Sequence, residues 1–285
     1  MSQRSLQFRS NRSAVILATA ASLLLLMAIA LLAGPKLNQQ VCAASSVLQA
    51  GAPQASASKQ PVLVELFTSE GCSSCPPADA LLAELDATQS APGATPVIVL
   101  SEHVTYWDQL GWHDPFSSES LTQRQNQYGS RFGLSSVYTP QVVVDGTQEM
   151  VGSDRSKVVH AVLNASAKPK IGLTLSGVQW SGNAVTANVT AASEIPSAML
   201  MAALADDSDR SSVLHGENGG RELRHVAVVR NLVEVHKFKG VLNQQPVSVK
   251  LPSGVSPQPK MRLVVFLADA HSGHILGAAM QSVSR

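Results

Sequence analysis

Apolar and polar positions along this chain follow one rhythm up to about Lys168 and another after it. Val62–Phe67 is apolar except for Glu65 and reads as a buried strand, followed by a polar turn containing Gly71. Pro76–Thr88 carries Ala80, Leu81, Leu82 and Leu85 at helical spacing. Pro96–Leu100 is a second strand, apolar throughout in the manner of strands buried on both faces. Phe116–Phe132 is polar and helical. Gln141–Val144 is a third strand closed by the turn Asp145-Gly146, and Gln148–Val151 completes a hairpin. Ser153 or Asp154 caps a last helix through Val158, Val159, Ala161 and Val162. The order is βαβαββα.

Beyond Pro169 the helical spacing disappears. Strand-like segments recur at Ile171–Val178, Val185–Ala191, Ala198–Ala205, Leu223–Val235, Val247–Leu251, Leu263–Ala268 and Ile275–Val283, with turn signals such as Ser181-Gly182-Asn183 and Ser272-Gly273 between them. This predicts a second, all-β domain of sandwich type over 169–285, following an α/β domain over 61–168. There is no internal repeat.

The amino-terminal 60 residues are of another kind. Arg4, Arg9 and Arg12 precede an uncharged apolar run from Ala14 to Gly34, and Lys36 follows it. Positive charge before an apolar core marks an export signal. The run is longer than the usual ~7–15 residues of a signal core and long enough, at over ~18, to span a membrane. Residues 1–44 are therefore expected to be a cleaved signal or a retained anchor, in contact with the membrane at least transiently. Candidate cleavage sites lie near Ala43 and Ala44. Residues 45–60, rich in Ala, Ser, Gln, Gly and Pro, read as a linker. The folded part is expected in the periplasm or outside the cell, either released or held to the inner membrane by residues 14–34. Of 285 residues 45% are apolar, ample for folded domains, and the net charge of +1 gives no reason to expect a nucleic-acid partner.

Three cysteines are present, too few for a disulfide scaffold. Two of them, Cys72 and Cys75, stand two residues apart at the start of the first helix. There, unpaired N–H groups and the positive end of the helix dipole favour a thiolate. This predicts a redox-active dithiol with Cys72, the first and more exposed, as nucleophile and Cys75 as resolving thiol. A structural disulfide is the alternative. A zinc site would want a second cysteine pair, which is absent. No cofactor is implied, and the expected partners are protein or small-molecule thiols and disulfides. A βαβαββα chain with a dithiol after its first strand has the thioredoxin arrangement. The sequence also resembles the bacterial exported proteins of domain-of-unknown-function family 1223, a branch of the thioredoxin-like superfamily. The resemblance rests on "ELFTSEGCSSCPPAD", "HVTYWDQLGWHDPFSS", "TQRQNQY", "YTPQVVVDG", "HGENGGREL" and "ILGAAMQ". The family name brings no activity with it. The broader thioredoxin resemblance implies chemistry at Cys72, Cys75 and Pro140 alone: a cis Thr139–Pro140 bond against the dithiol, with backbone that receives an extended substrate. The chain departs from that pattern in having no Trp before the dithiol, Ser73-Ser74 between the cysteines, and Pro76-Pro77 directly after them.

Further candidates surround this core. Glu65, inside the first strand, is the expected proton acceptor for the resolving thiol, if burial raises its pKa. The loop after the second strand offers His103, Tyr106, Trp107 and Asp108, with Trp112 beyond, for substrate contact at a strand end; packing over the first helix is the alternative. His103 would also complete a Cys-Cys-His set suited to Cu(I), so copper delivery stands beside oxidoreductase and non-catalytic binding module as a functional reading. Arg124 and Gln125 read as surface or capping residues. "HGENGGRE", His215–Glu222, reads as a tight glycine turn; the alternative is that Glu217 and Arg221 reach over to the first domain as a lid or an ion pair. His271 and His274 read as a hairpin tip.

Overall fold

The computed structural model describes residues 59–88 and 94–285. The expected export segment, nearly all of the linker and Cys42 lie outside them. The described residues fall within one compact unit. Strand β1 (Val62–Thr68) is buried at every position and pairs in parallel with β2 (Val97–His103), with Glu65 opposite Leu100 and Thr68 opposite His103. Helix α1 (Pro76–Thr88) connects them. A short 3₁₀ turn (Thr105–Trp107) leads to α2 (Glu119–Phe132), which ends at Gly133 in the left-handed region (φ 68°). The hairpin of β3 (Gln141–Val144) and β4 (Gln148–Val151) lies antiparallel to β1 on its other side. Helix α3 (Arg155–Ser166) starts at Asp154, whose carboxylate accepts the Lys157 N–H.

The β-rich remainder comprises β5 (Leu173–Ser181), β6 (Ala184–Ala191), β7 (Ile195–Ser212), β8 (Glu222–Gly240), β9 (Gln245–Lys250), β10 (Lys260–Asp269) and β11 (Ile275–Ser284). Among the described residues there is one eight-stranded sheet, ordered β11-β10-β7-β8-β2-β1-β3-β4, and one three-stranded sheet, β5-β6-β9. The expected architecture, a thioredoxin-like α/β domain followed by a self-contained β-sandwich, is therefore corrected. Strands from both sides of Lys168 share a single mixed sheet, joined where β8 meets β2 at Val228 and Ser101.

Packing explains the merger. One face of β7 and β10, with Leu200, Leu204, Leu263 and Val265, does close on the small sheet through Val185, Val189 and Val249, as a sandwich should. The opposite face is apolar as well. Met201, Ala203, Ala205, Val264 and Phe266 pack with Leu63, Ile98 and Leu100 of β1 and β2 and with Leu121 of α2. A sandwich sheet with a wet outer face would not carry those residues. On the far side of β1 and β2, Val62, Val64, Leu66, Val97 and Val99 pack against Ala78, Leu81 and Leu82 of α1 and Val158 and Val162 of α3. The strand alternation thus sorts side chains onto an α1 face and an α2 face.

Candidate functional site around the Cys72–Cys75 disulfide

Cys72 and Cys75, the two cysteines among the described residues, are joined in a disulfide with their Cα atoms 5.4 Å apart. The chain turns sharply to bring them there. The Cys72 N–H donates to Ser69 O, the Cys75 N–H to Cys72 O, and the N–H groups of Ala78 and Asp79 both donate to Cys75 O. Cys75 thus caps α1, and Pro76 takes the first helical position, where its missing N–H is not needed. Ser73 and Ser74 are exposed, but both cysteines are fully buried. The expected exposure of Cys72 is not observed.

The cover over Cys72 is the loop between β7 and β8. The buried side chain of Asn218 donates two hydrogen bonds of 2.9 Å, to the carbonyls of Glu70 and Cys72. The Ser73 N–H donates to Glu217 Oε2 at 3.0 Å, and Arg221 donates to Asn218 Oδ1 at 2.7 Å. Gly216 (φ 77°) lies so near Gly111 and Trp112 that an added Cβ would stand 3.2 Å from the Trp112 Cβ. The segment is both a tight glycine turn and a clamp over the dithiol.

A second wall comes from the loop after β2. Trp107 donates from Nε1 to Thr139 Oγ1 at 2.7 Å, and its Cβ would be 3.1 Å from a Cβ added to Gly71. Tyr106 also interacts with Thr139; burial raises its pKa above the ordinary value. The Thr139–Pro140 bond is cis. Tyr106, Trp107 and Thr139 are thus brought together beside the turn that carries Cys72. His103 is not part of that wall. Its Nδ1 is 2.7 Å from Asp114 Oδ2 and its Nε2 is 3.2 Å from Ser101 Oγ, in a fully buried position. Against burial, which would raise it, the His103 ring and the N–H groups of Glu70 and Phe116 hold the Asp114 carboxyl below its usual pKa. With both nitrogens engaged, His103 is not poised to join the cysteines around copper. Among the described residues no group of three or more His, Cys, Asp or Glu is placed to hold a metal ion.

Glu65 lies on the α2 face, whereas α1 packs on the other. Its Oε1 accepts from Arg124 Nε and its Oε2 from Tyr128 OH, both at 2.6 Å. Arg124 also approaches Glu102 at 3.6 Å. Burial first, and the neighbouring Glu65 charge second, push the Glu102 carboxyl well above its ordinary pKa and favour its protonated form, although the Arg124 charge pulls the other way. Arg124, read from sequence as a surface or capping residue, is the buried cation of this network. Gln125 is buried too, donating to Tyr138 O and Gln141 Oε1.

Glu70, two residues before Cys72, and Asp79, four after Cys75, meet His225 in a further buried cluster. His225 Nε2 is 3.3 Å from Glu70 Oε1, and its Nδ1 is 3.7 Å from Asp79 Oδ1. These distances suit charge attraction, but neither ring nitrogen has a directed hydrogen bond. Burial opposes a charge on His225, yet Asp79 and Glu70 outweigh it and raise its pKa to about 10. Glu70 Oε2 is held by Trp112 Nε1 at 2.8 Å and Ser211 Oγ at 3.1 Å. Asp79 and His225 escaped the sequence reading. The available signals were an acid one turn after Cys75 and a lone histidine within an apolar strand.

Residues 63–268 match the family described as protein of unknown function (DUF1223). The chain belongs to DUF1223. No curated protein matches it. Among solved structures it is similar to protein AGR_C_4864 from Agrobacterium tumefaciens, at 26% identity and TM-score 0.56, over 77% of this chain and 92% of that one. It is also similar to HBP35 of Porphyromonas gingivalis, at 16% identity and TM-score 0.48, over 79% and 76% of the two chains. The likeness to AGR_C_4864 over nearly that whole chain supports one shared mixed architecture in place of thioredoxin plus sandwich. In this member of DUF1223, a cavity of about 670 Å³ lined by Asp145, Lys168, Lys170 and His274 shares no residue with the dithiol site. A groove of about 590 Å³ between α1 at Ala83 and the β7–β8 ribbon at Asp209, Arg210 and Arg224 is lined by His225 but by neither cysteine.

Proposed function

We propose that this protein is an exported thiol–disulfide oxidoreductase whose working group is the Cys72–Cys75 pair. The observation that carries the reading is a disulfide between residues three apart, placed at a helix start over buried ionisable groups. Closing so short a loop limits the unfolded chain by only about 2 kcal/mol, against about 4–5 for a loop of a hundred residues, so the bond is a poor staple. The helix start favours a thiolate once the bond is reduced. Trp107 and Thr139 stand beside the turn as the wall of a substrate groove. Glu65, held by Arg124 and Tyr128 on the other face, is left out of the proton chemistry.

The burial of both cysteines favours a second reading, an inert cross-link in a binding module. The two separate cleanly. Reduced Cys75→Ser protein, mixed with an oxidised periplasmic extract or a model disulfide, is expected to accumulate a mixed disulfide at Cys72, and Cys72→Ser none. Failure of Cys75→Ser to trap any partner after reduction sustains the inert cross-link.

A further inference from the structure

Resting on the dithiol reading, we propose that Asp79, His225 and Glu70 form the proton relay of the Cys72–Cys75 pair, fed from solvent through the groove between α1 and the β7–β8 ribbon. Asp79 lies one helical turn after Cys75, with its N–H on the Cys75 carbonyl, so the two side chains share a helix face. Glu70 lies on the other side, two residues before Cys72. His225 spans them, 3.7 Å from Asp79 and 3.3 Å from Glu70. It is 97% buried, yet it lines the groove, and both its ring nitrogens and Asp79 Oδ1 lack directed hydrogen bonds.

The groups facing His225 set the charge balance. His103 meets its ring edge-on at 4.7 Å and is itself tied to Asp114. From β7, Asp209 interacts with His225, and beside it Asp206 is raised to about 7 by burial and by Asp209, against Arg230 at 3.6 Å. Arg210 and Arg224 line the mouth of the groove. Acids outnumber cations around the imidazole, which favours its charged form and makes it a store for one proton.

The chemistry balances as follows. A substrate thiolate attacks Cys72 Sγ; the Cys72–Cys75 bond breaks and Cys75 leaves as thiolate. Cys75 takes a proton from the Asp79–His225 pair, which is reprotonated through the groove. A second substrate thiolate attacks the substrate sulfur of the mixed disulfide and releases Cys72. Two electrons pass from two substrate thiols to the protein, and the substrate becomes a disulfide. In the opposite direction Asp79 accepts the Cys75 proton before Cys75 attacks Cys72 Sγ.

The test uses the reduced full chain carrying Cys42→Ser, so that only Cys72 and Cys75 can react, and a chromogenic aryl disulfide. The first aryl thiolate reports attack by Cys72 and the second reports resolution by Cys75. Asp79→Asn and His225→Gln are each expected to slow the second release at least about a hundredfold, the lower end of the range of general acid–base catalysis. They should also flatten its pH profile while leaving the first release within about twofold. Asp79→Glu should restore part of the rate. Wild-type second-phase rates and pH profile in Asp79→Asn overturn the relay, even where His225→Gln fails to fold, and leave the dithiol reading intact. Absence of any aryl thiolate release from the reduced wild type overturns both.

Discussion

Replacing Asn218 with Ala removes the two hydrogen bonds that hold the β7–β8 loop over Cys72. Both are 2.9 Å long and buried. At about 1 kcal/mol net for each, their loss shifts closed against open by about 2 kcal/mol, or about thirtyfold in the open population. The Ser73–Glu217 bond and the packing of Gly216 on Trp112 remain, so the loop keeps its course. If dithiothreitol reaches the disulfide through local opening, its reduction should accelerate by about ten- to thirtyfold in folded Asn218→Ala. The assay quenches timed samples with a maleimide and counts labelled thiols by mass. Low urea concentrations should leave the rate nearly unchanged, because local opening exposes little surface. A rate within twofold of wild type, or one that rises with urea as steeply as global unfolding, would refute the loop as the gate.

Arg124→Met should destabilise the fold by about 3–5 kcal/mol at pH 7, because Glu65 stays buried without its cation. The stranded carboxyl can then be relieved only by a proton, so denaturant titrations should show a smaller loss at pH 5. A loss under about 1 kcal/mol at pH 7 would contradict this. His225 has the opposite sign. Its pKa is raised on folding, from 6.5 to about 10, so its contribution is complete below about pH 6.5 and lost as pH climbs through about 10. Wild type should therefore lose stability relative to His225→Gln between pH 7 and 10; parallel curves would contradict the buried charge.

The helices and most strands were legible because their apolar spacing matches one buried face each. α1 with Leu81 and Leu82, and α3 with Val158 and Val162, stand where the periodicity puts them. The architecture was not legible, for two reasons. The polar stretch Asp206–Ser212 lies beyond the expected strand Ala198–Ala205, yet it extends β7 to Ser212 and brings Asp206 and Asp209 to the cluster around His225. The run Leu263–Ala268 is apolar at consecutive positions, a sign of a strand buried on both faces that was read as one wall of a sandwich. At the site, the cysteine pair follows from local spacing, whereas the cis Thr139–Pro140 bond was expected only from the thioredoxin resemblance. Glu65 was misassigned because spacing alone does not say on which side of β1 the helix α1 packs. Asp79 and His225 meet only through the register of β8 against β2, which no local pattern carries.

The most direct measurement is the redox equilibrium of Cys72–Cys75 in the folded protein, titrated against glutathione and dithiothreitol buffers with thiol labelling as readout. A working pair should titrate reversibly as a two-electron couple, with a potential above about −300 mV. A bond that stays oxidised below about −300 mV, or opens only when the protein unfolds, would contradict the proposed activity and leave a cross-link that holds one turn of chain.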